Sequence, residues 1–451
     1  MISRTFLMGL LIAVAISAYP LLAALMTVAG SPDTRLPSIV LRLGVGLLAI
    51  WVLIANRKSL RIYRPELLAA FLLFWAVYVF RIIDEGFLSL VTSPFNPVEL
   101  LAMVVLFTLL PTMPLFIGLN PKSSAAGYQV YMVLGAITVL VLLFQSRDIA
   151  LQMIDESRIR FAVEKLNPIS VGYVGGTFML MNAVGLFRPW RKPSVFWTGV
   201  FGVGMAAGLF TLVISASRGP AVATAVALLA YATIPPRFGR LMLTGVLAVV
   251  GGIGVYLMRG LILREFEIDV FARFIDAGDA YDTSATSRQE SFAGAWQQFT
   301  DNPIFGDSMF EKVTGTYPHN SVLESLMATG LVGGIAYLVC VVLMIVAALK
   351  LLAREDGYEW FALLAIFFLV GSQFSAAHYG NGAHWLTMVG VIVTEFKMRG
   401  VSVANRVRRQ QAMAEAQAAA DAHDARARNL VESELMKSDQ PPDQAVNPNA
   451  Q

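Results

Sequence analysis

The chain has 451 residues, of which 56% are hydrophobic and only 14% charged, with a formal net charge of +3, whereas a soluble protein carries charge on about a quarter of its residues. Those proportions exclude an ordinary soluble domain, and so small a positive surplus gives no case for nucleic acid. The single cysteine, Cys340, excludes an intrachain disulfide and a thiolate metal cluster.

The apolar residues come in blocks, which reads as an all-α polytopic membrane protein with about twelve transmembrane helices. In chain order the apolar cores are 6–28, 39–55, 67–80, 98–117, 130–144 and 171–187, then 195–216, 221–234, 241–258, 331–349, 361–376 and 385–393. The first follows Arg4 and is longer than the ~7–15 apolar residues of a signal core, so it reads as an uncleaved anchor.

Basic residues gather in alternate short loops: Arg57, Lys58, Arg61 and Arg64; then Arg188, Arg191 and Lys192; then Arg237 and Arg240. By the positive-inside bias these loops and both termini face the cytoplasm. The other face then carries two long loops, 145–168 and 260–320. This gives transmembrane helices over 1–258, a large outward loop over 259–320, three more helices over 321–397, and a tail over 398–451 that passes from helix-prone to disordered.

The first long loop contains "RIRFAVEKLNP", with Arg158 and Arg160. The next notable residue is Arg218, in "LVISASRGPAVATAV" between two outward-ending spans. Intramembrane ionisable groups are functional candidates by default, although an arginine among lipid headgroups fits the same residues.

In the second long loop, Ser287-Arg288-Gln289-Glu290 fits a capping box with Ser287 as N-cap. Phe292, Ala295, Trp296 and Phe299 then repeat at helical spacing, and Asp301-Asn302-Pro303 ends the helix. Arg288 would stand in the first turn, opposing the helix dipole by ~0.3–1 kcal/mol unless an anion lies nearby. A surface arginine on an amphipathic helix is the plainer reading.

"YPHNSVLESLMATGLVGG" repeats the device, with Ser321 as N-cap and Glu324 as its partner, so that His319 and Asn320 immediately precede a helix. Gly330 and Gly333 let that helix end or pack closely before the next span. An imidazole beside a helix N-terminus is biased towards its neutral form, which can accept a proton from a hydroxyl; a hydrogen-bonded structural histidine is the alternative. His378 and His384 share a short turn and His423 lies in the tail, a poor set for a metal. Arginines with helix N-termini on one face of a membrane protein match a lipid-borne diphosphate.

His319-Asn320, nine residues, then Gly330-x-x-Gly333, preceded by an arginine-headed helix and a "DNPIFGDS" turn, resembles the O-antigen ligase and polymerase superfamily. "SRG" and "RF…LNP" are similar to other segments of that family. The resemblance implies a metal-independent, inverting glycosyltransferase of GT-C-like architecture with a helical periplasmic loop, in a bacterial inner membrane. Such an enzyme moves a glycan from undecaprenyl diphosphate to an acceptor hydroxyl, on lipid A-core for a ligase and on another lipid-linked glycan for a polymerase. By the same resemblance Arg218, Arg288 and His319 are catalytic, Arg158, Arg160 and Asn320 bind substrate, and no cofactor is needed because the donor carries the energy. Ligase and polymerase both fit, with a slight lean to ligase. A transporter or flippase also fits the helix count, but the informative residues cluster in outward loops rather than at the bilayer midplane.

Overall fold

The computed structural model describes residues 3–31, 35–57, 62–88, 96–149, 166–187, 193–257, 283–375 and 377–400, together with positions 259–260, 264, 411, 413 and 415–417. Arg158, Arg160, Lys58, Arg61, Arg188, Arg191, Lys192 and most of the tail lie outside them. The chain divides into two units, Met1–Phe396 and Lys397–Gln451. In the second, the described positions are helical.

The first unit is helical throughout, with no strand among the described residues. Its helices are α1 (Arg4–Val28), α2 (Arg35–Asn56), α3 (Pro65–Ile83), α4 (Pro97–Ile117), α5 (Pro121–Ile149), α6 (Pro168–Phe187) and α7 (Val195–Ile214). They continue as α8 (Arg218–Thr233), α9 (Phe238–Leu257), α10 (Thr283–Asp301), α11 (Ser321–Arg354), α12 (Glu359–Ser372) and α13, from residue 382 to the end of the unit. Each of the twelve apolar cores falls wholly or mostly on one of these helices, 361–376 running past the end of α12 at Ser372, and α10 is the helix expected in the second long loop.

Among the described residues eight helices are long and apolar enough to cross a bilayer, so the protein is a polytopic α-helical membrane protein. α8 and α12, at 16 and 14 residues, fall short of the ~20 a full span needs. Local chemistry sets many of the starts. Pro65, Pro97, Pro121 and Pro168 each open a helix, where a missing N–H leaves nothing unpaired. Asn96 caps α4 by accepting from the Val98 N–H at 3.0 Å.

The helices pack in pairs: α1 on α5, α6 on α7, α3 on α11 and α12 on α8. Where α3, α11 and α13 meet, Phe74, Trp75, Tyr78, Tyr337 and Trp385 form a buried aromatic cluster, with Phe74 and Trp385 centroids 4.9 Å apart. At one end of the bundle, Glu355 after α11 pairs with Arg237 and Arg240. Arg354 reaches Glu395 at 3.7 Å, and the Arg64 guanidinium lies 4.9 Å from the centre of the Phe396 ring. Basic residues of two of the three basic loops thus share one end with Arg354, as their alternation in sequence requires.

α11 is two helices joined at a break. Gly330 has φ 59° and ψ −156°, a conformation essentially restricted to glycine. The "DNPIFGDS" segment fills the break. Leu331 N–H donates to Pro303 O at 2.8 Å, Val332 N–H to Ile304 O at 3.2 Å, and Asp307 N–H to Met327 O at 2.9 Å. Arg81 of α3 closes the joint by donating to the carbonyls of Phe305, Gly306 and Ala328, at 3.0, 2.9 and 3.3 Å, and to Asp84 at 3.1 Å. The sequence motif therefore joins a short helix, 321–329, to a long span from 331.

Candidate active site

His319 sits immediately before that short helix. The N-cap is Asn320 rather than the expected Ser321: its backbone is extended and its side chain accepts from the Leu323 N–H at 3.0 Å. An amide caps as well as a hydroxyl does, and the one-residue shift frees Ser321 and Glu324 for the interior. Ser321 Oγ accepts from the Tyr337 hydroxyl at 2.8 Å and from Gln373 Nε2 at 2.7 Å. Glu324, fully buried, does not close a capping box. Its carboxylate accepts from the Tyr78 hydroxyl at 2.6 Å and from the His378 N–H at 3.0 Å. His378 in turn approaches Ser321 O and Ser325 Oγ through Nε2 at 2.9 and 2.8 Å. This buried network ties the short helix to α3 and to the turn that follows α12.

His319 itself has φ +55°, a left-handed conformation in which histidine is enriched over most residues but which still costs about 1–2 kcal/mol. Its ring lies 4.4 Å from that of Tyr317, centre to centre. Burial, and secondly the charge of Arg288, lower its pKa below the usual 6.5, so the imidazole is neutral at neutral pH. The direction is the one expected from the sequence, with a different leading cause. Nδ1 has no hydrogen-bond partner among the described residues. That nitrogen is buried as well as unpartnered, and an unpartnered nitrogen of a neutral imidazole can accept a proton.

Arg288 comes from α10, which begins at Thr283, four residues before the expected cap. Ser287 is therefore inside the helix, and Arg288 lies in its second turn, past the free N–H groups. The whole run Thr283-Ser284-Ala285-Thr286-Ser287 is helical, so the capping pattern at Ser287 does not mark a boundary. The end, at Asp301, is as expected. The buried side of α10 also differs from expectation: it carries Ser291, Ala295 and Gln298, while Trp296 is 54% exposed. Gln298 accepts from the Lys312 N–H at 2.8 Å and donates to Phe310 O at 3.3 Å, so amide bonding to the following loop chooses the face. Arg288 is half-buried on that same side.

Arg218 is the first residue of α8. Ser217 before it is extended and gives no side-chain cap, and Ala216 before that has φ +45°. A left-handed residue, an extended cap and a helix start thus occur in the same order at Ala216-Ser217-Arg218 and at His319-Asn320-Ser321. The α8 start lies against the turn after α12, where a Cβ on Gly219 would stand 2.9 Å from Phe374 Cβ. The next residue, Ser375, lines the same cavity as Tyr317, and Tyr317 lies on His319. One short line of residues therefore joins the α8 start to His319, which Arg288 influences electrostatically.

A cavity of about 370 Å³ opens beside Tyr317, walled by α1, α5, the start of α6 and the turn 375–383. Tyr379 of that turn stands perpendicular to Tyr317, with centroids 6.4 Å apart. Among the described residues no three His, Cys, Asp or Glu side chains are placed to hold a metal ion.

Sequence reasoning missed Arg81, Glu324, Tyr78, His378 and Tyr379. Arg81 had a signal, as a cation inside an apolar run. Glu324 was visible but fitted a capping pattern, and His378 and Tyr379 acquire their place only through tertiary packing.

Residues 203–338 match the family model described as O-antigen ligase. The matched stretch begins within α7 and ends partway along α11, taking in Arg218, Arg288, the helix break and His319. No curated protein and no solved structure matches the chain. Over that stretch, somewhat under a third of the chain, the protein is similar to the O-antigen ligase and polymerase superfamily, and the match supports the resemblance carried by the His319 and Gly330 motif.

Proposed function

We propose that the protein transfers a glycan from undecaprenyl diphosphate to an acceptor hydroxyl, working as an O-antigen ligase with lipid A-core as acceptor. It would do so at the periplasmic face of a bacterial inner membrane, with both termini in the cytoplasm. The observation that carries this reading is the neutral His319 imidazole, with a buried and unpartnered Nδ1, held under the influence of Arg288 and packed on Tyr317, which lines a cavity between membrane helices. A lipid-borne donor and an acceptor hydroxyl on the hydrophilic core sugars of another lipid can meet only at such a border.

The acceptor oxygen attacks the anomeric carbon and forms the new glycosidic bond as the bond from that carbon to the phosphate oxygen breaks. The electron pair leaves with undecaprenyl diphosphate, and the acceptor's proton passes to His319. Displacement in one step inverts the anomeric centre. Arg218 and Arg288 hold the diphosphate and stabilise the charge that grows on it as it departs. The guanidinium groups do electrostatically what a divalent cation would otherwise do, which makes the reaction metal-independent. Asn320 holds the helix start that carries His319, and Arg158 and Arg160 are assigned supporting contacts to substrate.

The test is the surface-glycan profile of a deletion strain complemented with wild type, Arg218→Ala, Arg288→Ala or His319→Ala, each checked for expression. Arg218→Ala and Arg288→Ala are each expected to lose about 10–100-fold in transfer, the value of a hydrogen bond to a charged group, and His319→Ala about 10²–10⁴-fold, the value of a general base. Loss of attached chains with accumulation of lipid-linked polymer identifies a ligase, whereas single-repeat caps identify a polymerase. An unchanged profile in the deletion strain, with no redundant enzyme, would overturn the reading and return the transporter.

A further inference from the structure

Two sets of large apolar side chains in the segment before α11 stand partly or largely exposed. The first is on α10. At ~3.6 residues per turn, Phe292, Trp296 and Phe299 fall within about 60° of one another. Trp296 is exposed and the two phenylalanines are half-buried, and the Trp296 and Phe299 rings pair with centroids 5.3 Å apart. The buried strip of α10, Ser291, Ala295 and Gln298, lies to one side of them. Glu290, Gln297 and Asp301, all exposed, lie about 150° round the helix from the aromatics. The second set is Ile304 and Phe305, 58% and 63% exposed, although the backbone of their turn is bound into the break in α11.

That break fixes where the turn sits relative to a bilayer. From Leu331 the long arm of α11 needs about 20 residues to cross the ~30 Å hydrocarbon core, which takes it to Lys350, its first charged residue after the break. The exposed side chains of Leu331, Ile335, Val339, Val342 and Val346 form one stripe along that length, the face turned to lipid. Leu331 therefore stands at the edge of the hydrocarbon, and Ile304, whose carbonyl accepts from the Val332 N–H, stands beside it.

We propose that α10 is an interfacial helix. Phe292, Trp296 and Phe299, with Ile304 and Phe305, enter the boundary between headgroups and acyl chains on the membrane face opposite the basic end, while Glu290, Gln297 and Asp301 stay in water. The occupant of this apolar surface is the bilayer itself, because the surface continues the lipid-facing stripe of α11 at the depth where that stripe ends. Aromatic rings, tryptophan above all, favour that depth, and apolar side chains concentrated in this way mark interaction surfaces. Arg288 stands one turn before Phe292, between the aromatic flank and the buried strip. Anchoring the helix by its aromatics holds the guanidinium at the level of lipid phosphates, where an arginine stem lies along apolar surface and its head reaches the headgroups. Depth is a property of the protein in any bilayer, so the inference does not depend on the glycosyltransferase reading.

The test is electron paramagnetic resonance of the full-length protein in phosphatidylethanolamine and phosphatidylglycerol nanodiscs, spin-labelled at one introduced cysteine. Cys340 is buried, so the wild type supplies the background. Labels in Trp296→Cys and Phe305→Cys are expected to collide with oxygen in preference to a water-soluble nickel chelate, at a depth of about 5–10 Å into the boundary. The label in Gln297→Cys is expected to show the reverse preference. Phe299→Cys and Ile304→Cys give independent readings of the two sets should either exchange perturb the fold. The proposal is overturned if the label in either set meets the nickel chelate as freely as the one in Gln297→Cys, which puts that set in water. It is equally overturned if the labels are shielded from both reagents, which makes the surface a contact with a second copy of the chain or with another protein.

Discussion

At the scale of single residues, the site turns on how Arg288 and His319 affect one another. A base with a lowered pKa stays neutral further into acid, so the acid limb of the pH–rate profile should fall below the ordinary imidazole midpoint of 6.5. Removing the Arg288 charge removes one of the two causes and lets the pKa rise. The limb should therefore move to higher pH in Arg288→Gln and stay in place in Arg288→Lys, measured as kcat/KM against pH; an unmoved limb in Arg288→Gln would show that burial acts alone. His319 and Arg218 stood out in the chain as candidates because each is a charged or titratable group next to a helix start in an apolar sequence, whereas Arg288 was singled out by a capping pattern that the structure does not keep, since it lies in the second turn of α10. Tyr317 and Tyr379 were not, since two tyrosines 62 residues apart become a corner only when the turn after α12 packs against the segment ahead of α11.

Among the elements, the break in α11 is the feature most open to a single substitution. A Cβ on Gly330 would stand 2.4 Å from Ile304 C and O and 2.5 Å from Gly306 N, all backbone atoms that have no rotamer by which to retreat. Gly330→Ala should thus combine a forbidden backbone conformation with overpacking and destabilise by about 2–5 kcal/mol. The readout is a melting curve in detergent alongside Gly333→Ala, whose Cβ would meet chiefly the Thr329 side chain. Equal melting temperatures for wild type and Gly330→Ala would refute this account of the joint. The glycine spacing made a helix end near residue 330 readable in the sequence. The partner of that end was hidden, because hydrogen bonds from Leu331 and Val332 to Pro303 and Ile304 are backbone contacts with no side-chain signature. The capping pattern at Ser287 was misleading because the Ser and Thr residues ahead of it already belong to α10.

For the molecule as a whole, the twelve apolar stretches were legible because hydrocarbon leaves the chain little choice: its backbone polar groups must be paired within each segment, so apolar blocks become helices. Their depth in the bilayer was less legible, as short α8 and largely buried α12 show, since a helix packed inside a bundle has no need to reach both surfaces. Orientation is testable with the protein's own cysteine content. Cys340 is 1% exposed and should not react, so the wild type provides a silent background. Val313, 80% exposed in the loop after α10, should be labelled as Val313→Cys by an impermeant maleimide in spheroplasts. Asp356→Cys, at the basic end between α11 and α12, should be labelled only after permeabilisation. The reverse pattern would invert the topology and remove the periplasmic site.

The joint at Gly330 also governs what the bilayer can do to the chemistry. A span that does not match the local hydrocarbon thickness tilts or bends to accommodate it, and in an unbroken α11 that movement would pass directly to the residues ahead of its N-terminus. Here the lever is cut. The long helix from residue 331 can adjust its angle about a glycine joint. The short helix carrying Asn320 keeps its place through the Tyr78 and His378 contacts to Glu324, and Arg81 steadies the turn beside it. The distance between histidine and arginine is thereby set by protein contacts rather than by membrane thickness, and catalysis should be correspondingly insensitive to the acyl-chain length of the lipids around it.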